Sequence, residues 1–422
     1  MFNIAMQPAI TSPQRILNGE VHNWYRIVLG YSDHLVSNLL HEFRLGIGHR
    51  VLDPFCGTGT TMVECLKHGI DCTGIDANPS SCLAARVKTD WNLSPEHLAE
   101  LADEVARRRP MHMRRTKAYR NDPAYAYLET SGMIERGWIS EQPLREALAI
   151  KASIQEIRTS NRYREALTLA LLSTVVAEAS NVKFGPEIYC TAPRLHFHVF
   201  ESFKERIQVM LEDITIIEGL KRGQCHVICG DSRDLSSLLK KRVAYDCIIC
   251  SPPYPAEHDY TRNSRLELAF LGLVDNNDDV RAIKRSMIRC HTKGLYSDDN
   301  DRHHIKCVKA IRALADQLAH RARGRTDGFA QRYSVVVQEY FGGMYRHLVS
   351  VRTRLKSKAM CAYVVGDQAP YLQVHIPTAR ILSSLARDAG FEVLEIRRWR
   401  SRRSTVTARL IEENILVLRN KE

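Results

Sequence analysis

The sequence predicts an α/β fold, a mixed and mostly parallel sheet with helices over its faces, interrupted by helical insertions. Three observations predict it. Strand and helix signals alternate from about residue 21 to 90. They nearly vanish between about 91 and 220, where long amphipathic helical stretches take over. They then resume and continue towards residue 422, with a helical and polar interval at about 272–330. No internal repeat or low-complexity tract breaks this pattern. One α/β domain accounts for the whole chain, with an N-terminal part at 1–90, a helical insertion at 91–220, and the remainder at 221–422.

In chain order, "SDHLVSNLLHEF" offers Ser32 as an N-cap, followed by Leu35, Val36, Leu39 and Leu40 at helical spacing. "HRVLDPF" is a short strand, "TTMVECLKHG" a helix closed by Gly69, and "IDCTGIDANP" a second strand. A strand–helix–strand unit of this kind implies parallel pairing. In the insertion, "HLAELADEVARRR", "PLREALAIKASIQEI" and "YREALTLALLSTVVAEAS" read as helices, with an arginine-dense run at 107–117. A run of this kind is ordinarily a solvated helix end and loop. "CHVICGDSRDL" and "AYDCIICSPPY" bring the strands back. "KAMCAYVVGD", "FEVLEIRRW" and "ENILVLRN" give three more, with the helix "TARILSSLARDAG" before the second of them.

Bulk composition is that of an ordinary soluble globular protein, 44% hydrophobic and 26% charged. A net charge of +12 is compatible with a polyanionic partner, of which nucleic acid is the commonest. Twelve cysteines scattered along the chain, several inside apolar runs, read as reduced buried thiols of a cytoplasmic protein. The N-terminal residues lack the basic start and apolar core of a signal peptide. The most apolar helical stretch, Ala166 to Ala179, is too short to span a bilayer, so no membrane partner is expected.

Two strand ends carry chemistry. The first runs into Asp53-Pro54-Phe55-Cys56-Gly57-Thr58-Gly59-Thr60-Thr61. Gly57 and Gly59 remove side chains where a loop must turn tightly and admit a ligand to backbone. No third glycine completes a dinucleotide fingerprint, and no Gly-Lys-Ser/Thr makes a P-loop. Asp76 closes the next strand and is placed to accept from both hydroxyls of a ribose, while Asp231 closes a third and suits the amino group of an adenine. Either acid taken alone reads equally as a helix N-cap. The second corner is Ser251-Pro252-Pro253-Tyr254, where an apolar strand stops at two residues that cannot donate to a sheet ladder.

"VLDPFCGTGTT" resembles motif I of the amino-methylating DNA methyltransferases, "SPPY" resembles their motif IV, and "GYSDHLVSNLLHEF" is similar to their motif X. The resemblance implies a Rossmann-like methyltransferase fold and S-adenosylmethionine as cofactor. By the resemblance Asp53, Phe55, Gly57, Gly59 and Thr60 line that cofactor, Asp76 takes its ribose and Asp231 its adenine. Tyr31 and Ser32 fall in the segment at its methionine end. In motif IV the Ser251 hydroxyl and the Pro252 carbonyl would accept the two N–H bonds of an exocyclic amino group, with Pro253 fixing the backbone. Tyr254 would offer a ring to an extruded base. A serine in first place accompanies N4-cytosine methylation more often than N6-adenine methylation, so cytosine N4 leads. Adenine N6, an RNA amino group, and a non-catalytic subunit of a modification complex follow.

The continuation "PAEHDYTRNSRLELAFLG" resembles a bacterial subset of that family and places Asp259, Tyr260 and Arg262 near the base or the DNA backbone. Arg107, Arg114 and Arg115 in the insertion, and Arg400 and Arg402 in "RRWRSRR", are candidate phosphate contacts. DNA is the expected partner, RNA the alternative, and a cognate restriction endonuclease a companion activity at the nucleoid. No metal site is expected. Cys247 and Cys250 lie three apart on a strand and point to opposite faces. Cys290, His291, His303, His304 and Cys307 lack an ordered zinc spacing.

Overall fold

A computed structural model describes residues 20–25, 30–114, 118–184, 188–220, 222–256, 258–369, 371–403 and 410–421. Seven strands form one sheet: β1 (Arg50–Asp53), β2 (Asp71–Asp76), β3 (Cys225–Cys229), β4 (Tyr245–Cys250), β5 (Leu355–Gly366), β6 (Phe391–Arg403) and β7 (Leu410–Asn420). Their order is β3-β2-β1-β4-β5-β7-β6. Pairing is parallel from β3 across to β5, and β7 runs antiparallel to both β5 and β6. This is the mixed, mostly parallel Rossmann-like methyltransferase sheet expected from the sequence. The strand order reverses between β1 and β4, so their C-terminal ends part and leave a crevice, the usual ligand site of open α/β sheets.

The centre of the sheet is apolar on both faces, as parallel strands flanked by helices must be. On β4, Cys247 and Ile249 enter one core while Ile248 and Cys250 enter the opposite one, and all four are fully buried. Truncating a side chain such as Ile248 to alanine would cost about 2–5 kcal/mol. The first face packs on α1 (Asp33–Glu42) and α2 (Thr60–Lys67). The helix α3 (Pro79–Lys88) is started by the Asn78 side chain, which accepts the Ser80 N–H, and by proline in the first turn.

The first insertion holds α4 (Pro95–Arg114), α5 (Pro123–Thr130), α6 (Glu141–Glu156), α7 (Asn161–Thr174) and α8 (Val199–Ile217). Its core is continuous with the sheet-covering helices, since Leu98, Leu144, Leu167 and Phe203 join one cluster with Val63, Leu83 and Val87. Helix α4 continues through Pro110 to Arg114, so in the arginine-dense run, expected as a solvated helix end and loop, the helix end reaches further than "HLAELADEVARRR" implied. A π-helical turn, Val175–Ala179, extends α7, and a two-stranded antiparallel pair, Val182–Phe184 with Ile188–Cys190, follows it. "SNVKFG", whose sequence fits a helix-end turn or a loop, thus supplies a strand.

The second insertion brings α9 (Asn277–Arg285), a 3₁₀ turn at Asp301–Ile305 and α10 (Lys309–Ala322), before α11 (Tyr333–Arg352) returns to β5. With α12 (Thr378–Asp388), α11 covers the second face of the sheet. Gly342 makes room on α11: a Cβ there would lie 2.2 Å from the carbonyl oxygen of Asp301. The 3₁₀ turn therefore rests directly on helix backbone.

Candidate active site

The crevice is walled on one side by the glycine loop between β1 and α2. Gly57 and Gly59 have φ of +49° and +88°, in the left-handed region that favours glycine. A side chain at Gly59 would also press on α3, with its Cβ 3.2 Å from Ala85 Cα. The loop is fastened to the end of β2. Asp76 Oδ2 accepts the Gly57 N–H at 3.0 Å and Oδ1 accepts the Asn78 N–H at 2.8 Å. Burial raises this carboxyl from 3.8 to about 6 against the help of those two donors. A carboxylate has about four acceptor positions, so each oxygen keeps capacity for a further donor.

Asp53 does not line the crevice. It is 1% exposed beneath the loop, accepting the Phe55 N–H at 3.0 Å and the Tyr31 hydroxyl at 3.3 Å. Burial lifts it to about 7. Tyr31 also bonds Thr61 and is itself buried, as is Thr60 at the start of α2. Ser32 caps α1, accepting the His34 N–H. These residues shape the loop from below. Phe55 is half-buried, its ring 4.8 Å from that of His347.

Asp231 is gripped by a neighbour. Arg233 grips it through the backbone N–H, Nε and Nη2, using both carboxylate oxygens, and reaches on to Asp301 at 2.6 Å through Nη1. Three N–H groups, the Nε hydrogen shared between both oxygens, hold the carboxylate, which stays 31% exposed and keeps an acceptor position for a further donor. Neither Arg233 nor Asp301 stood out in the sequence, because the pair is 68 residues apart. His347 was equally silent. It is fully buried between the Ser232 carbonyl and the Tyr363 hydroxyl, 2.9 Å from each, and burial lowers it to about 4.

The opposite wall is the proline corner. Ser251 Oγ donates to the Val364 carbonyl at 3.1 Å, and the Tyr254 hydroxyl lies 3.5 Å away. Pro252 is buried, Pro253 half-buried, and among the described residues no group donates to the Pro252 carbonyl. Tyr254 lies against Gly366 at the end of β5, where an added Cβ would be 3.0 Å from its ring. The Tyr260 phenol, half-buried, hydrogen-bonds the backbone of Tyr254. Asp259, expected near base or phosphate, instead caps the turn after it, accepting the Arg262 N–H, and takes Lys284 Nζ at 2.6 Å. Burial pushes Asp259 up, but the charges of His291 and Lys284 outweigh it and leave the group at about 2. Arg262 is half-buried and makes no ion pair among the described residues.

The structure brings the motif I loop, Asp76 and the proline corner together at the ends of β1, β2 and β4. Over 92% of this chain and 82% of its own length, the Type II methyltransferase M.BsoBI of Geobacillus stearothermophilus is 26% identical. The Type II methyltransferase M.AvaI of a Nostoc species is 25% identical over 89% of this chain and 80% of its own. This chain is similar to Type II methyltransferases along most of its length. A shorter match, 39% identical over 61 residues, is to the Type II methyltransferase M.MjaII of Methanocaldococcus jannaschii. No family model matches the chain. Among solved structures, TrmN from Thermus thermophilus aligns with 95% of this chain and 52% of its own at a TM-score of 0.31 and 10% identity, too low to bear on fold or activity.

The residues present fit S-adenosylmethionine. A glycine cradle open at Gly57, where an added Cβ would meet nothing within 4 Å, sits beside a carboxylate with acceptor capacity to spare. A ribose diol asks for an acceptor of this kind beside a loop whose backbone is open to it. Among the described residues the metal-ligating types that come together are His22, Asp33 and Glu64, not the Cys290–Cys307 set. Lys67 already sits 3.0 Å from Glu64 and His22 bonds it at 2.8 Å, so cations and donors occupy that carboxylate.

The arginines divide. Arg108 pairs with Glu104 and Glu156, and Arg109 with Glu146 over the Phe200 ring. Arg107 and Arg114 are exposed and have no ion pair among the described residues. Arg115 lies outside the described residues. Arg400, expected on phosphate, is spent on buried Glu413 and stacks on Trp399 at 4.3 Å. Arg402 stands on β6 opposite Ile411. Among the described residues no helix is long and apolar enough to cross a membrane.

Proposed function

We propose that this protein is a DNA methyltransferase that uses S-adenosylmethionine to methylate the exocyclic amino group of an extruded base, with cytosine N4 the leading target. The observation that carries this is the Ser251 hydroxyl. Its proton is directed to the Val364 carbonyl at 3.1 Å, so the lone pairs of its oxygen remain as acceptors in the corner. The Pro252 carbonyl is a second acceptor without a donor among the described residues.

The lone pair of an exocyclic amino nitrogen is delocalised into its ring, which makes the nitrogen a poor nucleophile. Two acceptors held against its two N–H bonds draw them out of the ring plane and localise the lone pair. Because Pro252 and Pro253 fix the backbone, the acceptors are in position before the base arrives, which is preorganisation. The Tyr254 ring, laid on Gly366, presents a face on which a flipped base can stack. When bound, S-adenosylmethionine supplies a methyl group on a sulfonium that carries its own leaving group. Asp76 and the Gly57 loop would hold its nucleoside, and His347 would brace Phe55 below it. Cytosine N4 leads because a serine in first place accompanies it more often in the family that the motifs resemble; the same clamp serves adenine N6.

The similarity to named Type II methyltransferases supports a place in a restriction–modification pair, and the basic net charge of +12 supports a nucleic-acid substrate. The test uses labelled S-adenosylmethionine with unmethylated duplex DNA, single-stranded DNA and tRNA, followed by digestion and nucleoside mass spectrometry. N4-methylcytosine in duplex DNA is the expected product. N6-methyladenine alone would move the target to adenine, and label found only in tRNA would overturn the DNA substrate.

A further inference from the structure

A row of alternating charges runs from the second insertion to the end of β3. Asp301, 3% exposed, accepts Arg233 Nη1 at 2.6 Å through Oδ2 and Arg346 Nη1 at 2.5 Å through Oδ1. Arg233 in turn holds Asp231 with Nε and Nη2. Acids and arginines alternate along the row, so each buried charge has a neutralising neighbour, as burial requires. The inner side chains are sequestered, Arg233 at 8% and Asp301 at 4%, while Asp231 stays 31% exposed. The Gly230 N–H donates to the Asp76 carbonyl at 2.9 Å, which sets Asp231 beside the acid proposed for the ribose.

Helix α11 is shaped to admit this row. Gly342 and Gly343 stand together in its interior, where glycine weakens a helix relative to alanine. A Cβ at Gly342 would strike the Asp301 carbonyl oxygen, and one at Gly343 would lie 3.1 Å from Asp301 Oδ2 and 3.6 Å from Arg233 Cδ. The turn is fastened further by the Arg302 N–H, which donates to buried Glu339 at 3.3 Å. The Arg285 carbonyl, at the end of α9, accepts Arg233 Nη2 at 2.7 Å. Among the described residues, the polar partners of the Arg233 side chain other than Asp231 thus both come from the second insertion.

The consequence falls on Asp231. A guanidinium carries five N–H groups, and one free to rotate would cap the acceptor position that Asp231 keeps. Held from behind by Asp301 and Arg285, the guanidinium cannot turn, and that position stays open. We propose that Asp301 is a positioning residue of the cofactor site: by holding Arg233, it keeps an Asp231 acceptor free for the adenine amino group of S-adenosylmethionine. The same contact selects the cofactor's base, since the carbonyl oxygen of a hypoxanthine in that place would face a carboxylate and offer it no proton. The proposal rests on the S-adenosylmethionine-dependent function above.

The experiment titrates S-adenosylhomocysteine and S-inosylhomocysteine by calorimetry into wild type, Asp301→Asn and Arg346→Met. Wild type should bind the adenosine compound at least about thirtyfold more tightly, within the range of a hydrogen bond to a charged acceptor. In Asp301→Asn that ratio should fall below about fivefold, most of the loss lying in the adenosine compound. Arg346→Met breaks the other bond of Asp301 and leaves Arg233 held, so its ratio should stay within about twofold of wild type. Arg233→Lys, which keeps the charge but cannot span both acids, should lose the ratio as well, and it stands in if the asparagine variant does not fold. The positioning role is overturned if folded Asp301→Asn or Arg233→Lys keeps the wild-type ratio within about twofold. An equal loss in Arg346→Met would overturn it too, by showing a general loosening. A wild type that binds both compounds equally well overturns the Asp231 contact and the proposal together. If wild type binds neither compound and no S-adenosylmethionine, the function beneath it falls first.

Discussion

Replacing Asp76 by asparagine removes one negative charge from the crevice and keeps its shape. Burial raises this carboxyl from 3.8 to about 6. Two units correspond to an order of 3 kcal/mol against the ionised form, less for a side chain that is only half-buried. A carboxyl with a raised folded value holds its proton more tightly folded than unfolded. Its stabilising share is complete below 3.8 and is lost as pH rises through about 6. Near pH 7.5 the charge therefore weakens the fold, but asparagine turns one of the two acceptors for Gly57 and Asn78 into a donor, about 1–3 kcal/mol the other way, so Asp76→Asn should lower Tm by a few degrees at most. Ribose hydroxyls donate to the ionised form, so the cofactor selects it. Affinity for S-adenosylmethionine should fall as pH drops through about 6, and be about tenfold weaker near pH 5 than near pH 7.5 from the ionised fraction alone. Losing a hydrogen bond to a charged acceptor, about 1.5–3 kcal/mol, predicts binding about 10–100-fold weaker for the variant near pH 7.5, with little pH dependence of its own. Calorimetric titrations at three pH values read both quantities. A variant that binds within about twofold of wild type, or a wild-type affinity flat across that range, would refute the assignment.

Ser251→Ala removes one of the two proposed acceptors. It should lower kcat by about 10²–10³-fold, as for other preorganised hydrogen-bonding groups, while S-adenosylmethionine binds within about twofold by calorimetry. Gly342→Ala puts a methyl 2.2 Å from the Asp301 carbonyl oxygen and should destabilise the protein by about 1–3 kcal/mol in denaturant titration. Lys88 is fully buried, its Nζ has no partner among the described residues, and burial lowers it to about 7. A folded value below the unfolded one of 10.5 means stability rises with pH between the two, so Lys88→Met should raise Tm more at about pH 6.5 than at about pH 9.

The fold was legible because periodicity reports burial directly. The run Cys247 to Cys250 is apolar throughout, and the sheet buries it on both faces. The two corners were legible because their residues do local work: Gly57 and Gly59 need positive φ, and two prolines must end a ladder. What sequence could not give was how each polar side chain is occupied. Asp231 is gripped by Arg233, which is held in turn by Asp301 from the second insertion. Asp53 is drawn under its loop by Tyr31, and Arg400 is neutralised by Glu413 across a strand pair. These partners lie far apart in the chain and have no spacing signature. Asn181 shows the converse, an unremarkable letter that becomes a hub once 137–140 and 191–194 meet around it.

The central claim is that the Ser251 corner presents an exocyclic amino group for methylation. Plasmid DNA from a methylation-free host expressing this chain, digested and read by nucleoside mass spectrometry, tests it most directly. N4-methylcytosine is the expected product, absent when the expressed chain carries Ser251→Ala. A ring-carbon product such as 5-methylcytosine, or an amino-methylated base undiminished by Ser251→Ala, would contradict it.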